Sequence, residues 1–171
     1  WLNDHNNFEL GKLSRRAERP SLERMQTLAK YMGDPQKNVP SIHITGTNGK
    51  TSTTRIAESL LRAKGLYTGL ICSPHLVEMN ERICLDGQAC SDSQLETALR
   101  YVRNIEDSFE QVSKDSPSYF EIFIGAAFEI FSEEAVDVAV IEVGMGGLYD
   151  ATNICDSQVS VITNVALDHM E

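Results

Sequence analysis

At 171 residues, with 42% hydrophobic and 23% charged side chains, the chain has the make-up of one globular domain with a full core, which argues against disorder. A formal charge of −10 argues against a nucleic-acid surface, where a basic patch would be expected. No apolar run approaches the roughly 20 residues of a membrane span and the N-terminus lacks a charged-then-apolar signal pattern, so no membrane partner and a cytoplasmic location are expected.

Residues 1–19 are polar and irregular, and their basic Lys12, Arg15, Arg16 and Arg19 read as a solvated face. Pro20 and Ser21 then precede Leu22, Met25, Leu28 and Met32, one apolar stripe at helical spacing that stops at Gly33. Next comes Ser41-Ile-His-Ile-Thr-Gly-Thr-Asn-Gly-Lys-Thr-Ser-Thr-Thr54, an apolar run that passes through two glycines into a lysine and hydroxyls at the start of a helix. This pattern reads as a phosphate loop. Gly46 and Gly49 allow successive N–H groups to face one anion, and the helix adds its positive end. Lys50 would supply charge to the outer phosphates and Thr51 or Ser52 a hydroxyl near Mg²⁺. A full Walker loop needs glycine where this chain has Ile44, so the loop is of a shorter kind, and a P-loop kinase is disfavoured.

In the helix that follows, Ile56, Leu60 and Ala63, beside Ala57 and Leu61, are expected to make the buried face. Tyr67 to Cys72 reads as a strand ending at Ser73-Pro74-His75, and Arg82 to Cys90 as a hairpin around Asp86-Gly87. Ser91-Asp-Ser-Gln94 and Ser118-Tyr-Phe-Glu121 are capping boxes before two apolar helices, with a loop-like run from Gln111 to Ser118 between them. Val138–Ile141 and Val159–Ile162 look like parallel strands covered on both sides. The four cysteines form no Cys-x-x-Cys pair, so Cys72, Cys84, Cys90 and Cys155 read as free thiols, although Cys84 and Cys90 could face each other across the hairpin.

The fold class that follows is α/β: a doubly wound, mostly parallel sheet with helices on both faces and ligands beyond the carboxyl ends of the strands. Those ends carry the phosphate loop, Ser73, Glu142, Thr163-Asn164 and Asp168-His169. Mg²⁺ takes hard oxygen ligands, for which Glu142 is well placed; its other reading, a solvated strand end or a structural ion pair, loses ground beside a phosphate loop.

Thr45-Gly-Thr-Asn-Gly-Lys-Thr-Ser52 resembles the ATP loop of the Mur ligase superfamily. Ser73-Pro-His-Leu76, Asn80-Glu-Arg-Ile83, Glu142-Val-Gly-Met-Gly-Gly147, Asp150-Ala-Thr-Asn153 and Leu167-Asp-His169 resemble the folylpolyglutamate synthase/dihydrofolate synthase family specifically, over residues 20–171. Two of these segments, Ser-Pro-His-Leu and Asp-Ala-Thr-Asn, are not the pattern of a peptidoglycan Mur ligase. The resemblance implies that Gly46, Thr47, Asn48, Gly49, Lys50, Thr51 and Ser52 hold ATP, and that Ser73, Glu142 and His169 bind Mg²⁺. On its own residues, His169 would more readily be a structural histidine, and a histidine on Mg²⁺ is chemically unusual. His75 orients the pterin-side pocket or caps its turn, and Phe120 faces the pteroate or belongs to the core. Gly146, Gly147, Asp150, Thr152 and Asn153 match the family's loop over the active site, with Asp150 on the substrate side. Leu148 departs from the family's usual arginine.

The implied reaction is attack of a dihydropteroate or reduced-folate carboxylate on the γ-phosphate of ATP, giving an acyl phosphate that the amine of L-glutamate opens to an amide. Lys50, Glu142 and His169 would be its catalytic groups. Residues 1–171 are then expected to be an ATP-binding domain, incomplete at its C-terminal end. The family's downstream lysine segment and C-terminal domain lie outside it, so this chain alone is expected to be inactive. The rival reading is a nucleotide-binding fragment with no ligase activity. A monomer is the default, since no exposed apolar stripe is evident.

Overall fold

The computed structural model describes residues 1–7, 22–113 and 116–166. In chain order these contain helix α1 (Leu22–Tyr31), strand β1 (Ser41–Thr45), helix α2 (Lys50–Ala63), strands β2 (Thr68–Ile71), β3 (Ile83–Leu85) and β4 (Gln88–Ala89), helices α3 (Asp92–Ser113) and α4 (Tyr119–Glu133), and strands β5 (Val138–Glu142) and β6 (Val159–Ile162). The strands form one sheet in the order β4-β3-β2-β5-β1-β6. β2, β5, β1 and β6 run parallel, and the β3–β4 hairpin extends the sheet antiparallel at one edge. The hairpin turns at Asp86 and Gly87, with φ of 49° and 79°, the pair of positive angles that a two-residue turn of this hand requires.

Both capping boxes form. The Ser118 hydroxyl accepts the Glu121 N–H at 3.2 Å while the Glu121 carboxylate accepts the Ser118 N–H at 2.7 Å. Ser91 and Gln94 repeat the exchange at the start of α3. α3 continues through Ser113, into the run expected to be loop, because Phe109 is buried in the core one turn before its end. α4 is apolar all round and buried along nearly its whole length, lying between the sheet and helices α1 and α3. Arg24 of α1 donates to Glu121 at 2.7 Å, both side chains buried, so the capping carboxylate also ties α1 to α4.

α2 covers the opposite face of the sheet, and here the structure turns the helix from the expected orientation: Ala57 and Leu61 are half-buried, but Ile56, Leu60 and Ala63 are exposed. Ile56 and Leu60 are about three-fifths exposed (61% and 62%), whereas Thr54 and Glu58 are buried against the strands. Glu58 accepts from Thr68 Oγ1 at 2.6 Å and from Arg62 Nε at 3.0 Å, so the buried carboxylate is satisfied. Lys50 and Thr51 set the phase: directing them at the strand ends puts positions 54 and 58, three and seven residues on from Thr51, against the sheet. An exposed apolar stripe therefore exists on α2, and Val159 and Ile162 of β6 are exposed as well, contrary to the expectation of none.

The N-terminal turn is also more embedded than its polarity suggests. Leu2, Asn6 and Asn7 are buried, the Trp1 indole donates to Glu106 at 2.6 Å, and His5 bonds the other Glu106 oxygen. Lys12, Arg15, Arg16 and Arg19 lie outside the described residues. Among the described residues no helix is long and apolar enough to cross a membrane.

All four cysteines are free. Cys84 packs with Leu70 and Cys72 on the α2 face, while Cys90 belongs to the main core, so the hairpin does not bring Cys84 and Cys90 face to face. Burial pushes the thiols of Cys72, Cys90 and Cys155 up to about 11. The thiolate is the nucleophile, so at pH 8 these three should alkylate roughly a hundredfold more slowly in the folded chain than in urea. Timed iodoacetamide labelling with peptide mass mapping measures this; native rates equal to those in urea would contradict the burial.

Candidate nucleotide and metal site

β1 and β5 are neighbours whose chains leave in different directions, β1 into α2 and β5 toward β6. That divergence opens a crevice at their carboxyl ends, the place where parallel α/β sheets bind ligands. Gly46 turns the chain out of β1 with φ of 139°, and a Cβ there would sit 2.0 Å from Thr163 Oγ1, so only glycine fits. Gly49 caps α2 with φ of 81°. The first helical bond runs from Thr53 N–H to Gly49 O, which leaves the N–H groups of Lys50, Thr51 and Ser52 at the open end of the helix without a helical acceptor. Lys50 Nζ folds back to Gly46 O at 2.7 Å.

The segment after β6 grips the same loop. Thr47 N–H donates to Asn164 O at 3.0 Å, Asn48 N–H to Asn164 Oδ1 at 2.9 Å, and Thr163 Oγ1 donates to Asn48 O at 2.7 Å. Thr47 and Asn48 thus shape the loop through their main chain, with the Thr47 hydroxyl adding a bond from Ala166 N–H at 3.0 Å, while the helix end carries the groups directed outward.

Glu142 stands beside that end. It shares the α2-facing side of β5 with buried Val140, is 2% exposed, and accepts from Thr51 Oγ1 at 2.7 Å and from Ser73 N–H at 3.4 Å. Burial pushes its carboxyl up, against the opposing influence of these two hydrogen bonds and of Lys50 and Arg55. Ser73, Lys50, Thr51 and Glu142 all border one cavity of about 880 Å³. Two of the three expected metal-binding residues, Ser73 and Glu142, are therefore brought together; His169 lies outside the described residues. Among the described residues no three His, Cys, Asp or Glu side chains gather as a metal cluster, so oxygen donors of Thr51, Ser73 and Glu142 are what the site offers a cation.

On the far wall His75 also lines the cavity, with Arg82 donating Nε–H to its Nδ1 at 2.7 Å. An acceptor at Nδ1 leaves the ring proton on Nε2. Arg82 is buried, with its guanidinium 6.0 Å and 5.7 Å from the ring centres of Tyr119 and Phe123. Phe120 is half-buried and its ring presses on the glycine-rich loop: a Cβ on Gly144 would lie 2.4 Å from Phe120 Cζ. It is Tyr119, not Phe120, that borders the cavity directly. Asp150 is buried, and both its oxygens are taken up within its own loop, by Met145 N–H at 2.9 Å and by the Thr152 N–H and hydroxyl at 2.9 and 2.5 Å. It supports the wall formed by Gly144 and Met145 without bordering the cavity itself.

Sequence reasoning missed Arg82, Tyr119 and the N-terminal Asn3 and Asn7 as cavity-lining residues. Arg82 had a signal, an arginine in an apolar strand start that must find a buried partner. The two asparagines had none, since nothing local ties residues 1–7 to the start of α4, where Tyr119 N–H bonds Asn6 O.

A carboxyl whose folded value is raised binds its proton more tightly in the native state, so it lowers stability as pH rises past the ordinary carboxylate range. Glu142→Gln keeps an acceptor for Thr51 and removes that cost. The variant should melt above the parent at pH 7, with the difference closing as the pH falls to about 4. A lower melting temperature at pH 7 would show that the charge is stabilised where it stands.

Residues 44–171 match the Mur ligase middle domain family. The chain is 42% identical over 159 residues to the dihydrofolate synthase/folylpolyglutamate synthase of Mycobacterium tuberculosis, covering 89% of this chain and 33% of that protein. A Mycobacterium tuberculosis folylpolyglutamate synthase solved with ADP and AMPPCP superposes with a TM-score of 0.85 at 43% identity, covering 90% of this chain and 35% of that one. A bifunctional folylpolyglutamate synthase/dihydrofolate synthase solved with Mn, AMPPNP and L-glutamate gives a TM-score of 0.80 at 34% identity, covering 95% and 38%. The chain spans about a third of the length of these relatives. Phosphate loop, Glu142 at the β5 end and the Gly144–Asn153 loop all fall within the matched span, and the chain belongs to the Mur ligase family, in its folylpolyglutamate synthase/dihydrofolate synthase branch.

Proposed function

We propose that residues 1–171 are the ATP-binding part of an ATP-dependent ligase that joins L-glutamate to a dihydropteroate or reduced-folate carboxylate in the cytoplasm. The observation that carries this reading is the meeting of Lys50, the open N-terminus of α2 and the buried Glu142–Thr51 pair in one cavity. The nucleotides, Mn and L-glutamate bound to the relatives support it, and the free thiols suit a reducing compartment.

ATP with Mg²⁺ fits the donor set: a helix end and a lysine for phosphate oxygens, hydroxyl and carboxylate oxygens for a hard cation. When bound, the nucleotide supplies the phosphoryl group that activates the acceptor carboxylate, and the metal neutralises charge on it. The chain's own part is positioning and electrostatics. Lys50 exchanges Gly46 O for a phosphate oxygen at no change of backbone. The N–H groups of Lys50, Thr51 and Ser52, already fixed at the helix end, would meet phosphate oxygens with little reorganisation. Glu142, Thr51 and Ser73, joined by His169 in this reading, hold the cation side. His75, fixed by Arg82 with its Nε2–H free to donate, orients the acceptor, and Phe120 with Asp150 shapes the wall beside it.

Lys50→Ala removes a charge that contacts only a loop carbonyl in the structure, so the fold should persist. Loss of one charge-assisted contact should weaken Mg-ATP binding by about ten- to a hundredfold. Isothermal calorimetry, with the melting temperature as control, decides this; unchanged affinity in a folded variant would remove Lys50 from the site.

A further inference from the structure

His43 lies on the face of β1 opposite α2, three residues before the phosphate loop, and has no part in the chemistry described above. Its Nε2 is 2.7 Å from Thr152 Oγ1. Thr152 Oγ1 is 2.5 Å from Asp150 Oδ1, and Asp150 Oδ2 accepts Met145 N–H at 2.9 Å. Thr152 and Asp150 are buried and His43 is half-buried. The proton directions follow from chemistry. An ionised carboxylate only accepts, so the Thr152 hydroxyl donates to Asp150, its oxygen is left to accept, and His43 donates from Nε2. Two donor paths thus converge on the Asp150 carboxylate, one from His43 through the Thr152 hydroxyl in the interior and one from the Met145 N–H of the cavity wall. The same wall is fixed from its other side by the Phe120 ring against Gly144.

We propose that His43 is a positioning residue for the acceptor side of the site: through Thr152 and Asp150 it sets where Gly144 and Met145 stand relative to the phosphate loop. This rests on the reading of that cavity wall as the acceptor side. A ring that merely filled space would be better served by an apolar residue, since burial opposes the charged form of His43 and the position lies beside apolar Ile141 in the pairing of β1 with β5. The polar group earns its place by donating to the Thr152 oxygen, which directs the Thr152 proton to Asp150. The nucleotide groups, on the α2 face, depend on Gly46–Ser52 and Glu142 and not on these bonds.

Three variants separate positioning from packing. His43→Gln keeps an amide donor near the position of Nε2; His43→Leu and Thr152→Val remove the donor or the relay. In amide hydrogen exchange on the 171-residue chain, Met145 N–H should lose up to about tenfold in protection in His43→Leu and Thr152→Val, the size of one net hydrogen bond, and keep the parent value in His43→Gln. Dihydropteroate affinity, read by fluorescence titration, should fall in the same two variants and recover in His43→Gln, with Mg-ADP affinity unchanged throughout. Unaltered Met145 protection in His43→Leu, or an equal loss in His43→Gln, overturns the proposal, as does a parallel loss of Mg-ADP affinity, which would mark a general structural role. A parent chain that binds Mg-ADP but not dihydropteroate overturns the acceptor-side assignment. If the parent binds no Mg-ADP, the proposed function falls by itself, and Met145 exchange still passes judgement on the relay.

Discussion

The hydrogen bond from Thr51 to Glu142 is the constraint on which the rest of this structure depends. It joins the first turn of α2 to the carboxyl end of β5 across the crevice between β1 and β5. A buried carboxylate needs such partners, and the Thr51 hydroxyl, two residues beyond the helix cap, supplies one beside the Ser73 N–H. Once Thr51 points there, the rotation of α2 is determined. Thr54 and Glu58 follow it onto the sheet, Glu58 must be satisfied by Thr68 and Arg62, and Ile56 and Leu60 are carried to the outside. The site therefore dictates the packing of the helix, and Ile56 and Leu60 give way to it.

This explains which parts of the molecule were legible in the sequence. Signals that are local and chemical were read correctly: the backbone freedom required at Gly46 and Gly49, the Asp86-Gly87 turn, and both capping boxes, whose serine and acid or amide side chains reach only three residues. The sheet followed, because continuous apolar runs between helices leave few arrangements. What failed was periodicity on α2, where a polar stripe faces inward because each member has a distant partner. Asp150 was legible as important and illegible in role, since its partners Met145 and Thr152 compete with any ligand for its two oxygens. Phe120 occupies the middle ground between its two readings, half-buried and pressed on the loop without bordering the cavity.

Buried charge is handled in the same way elsewhere. Arg24 pairs with the capping carboxylate of Glu121, and Arg82 meets His75 and two aromatic rings. Breaking such a group leaves an uncompensated charge, so each is a strong constraint on geometry even where its net contribution to stability is small. Arg82 is the more consequential, because its constraint ends at a histidine on the cavity wall and selects that ring's tautomer.

The grip of Thr163 and Asn164 on residues 47 and 48 bears on why a loop shorter than the Walker pattern suffices. In a full Walker loop the backbone wraps the anion and many of its N–H groups face inward. Here the strand continues through Ile44, fully buried, so the wrap is cut short, and the Thr47 and Asn48 N–H groups are held by Asn164. Rigidity comes from the β6 end in place of the missing turn. Gly46 can have no side chain because Thr163 occupies that space, and Gly49 adopts a left-handed angle, open to glycine, immediately before α2. With the loop so fixed, the positive end of α2 and the Lys50 ammonium are the groups left to meet an anion, and both stand beside Glu142. A loop built this way depends on a strand that lies on the far side of β1 from Glu142, so the order β5-β1-β6 is itself part of what fixes the Gly46–Asn48 turn.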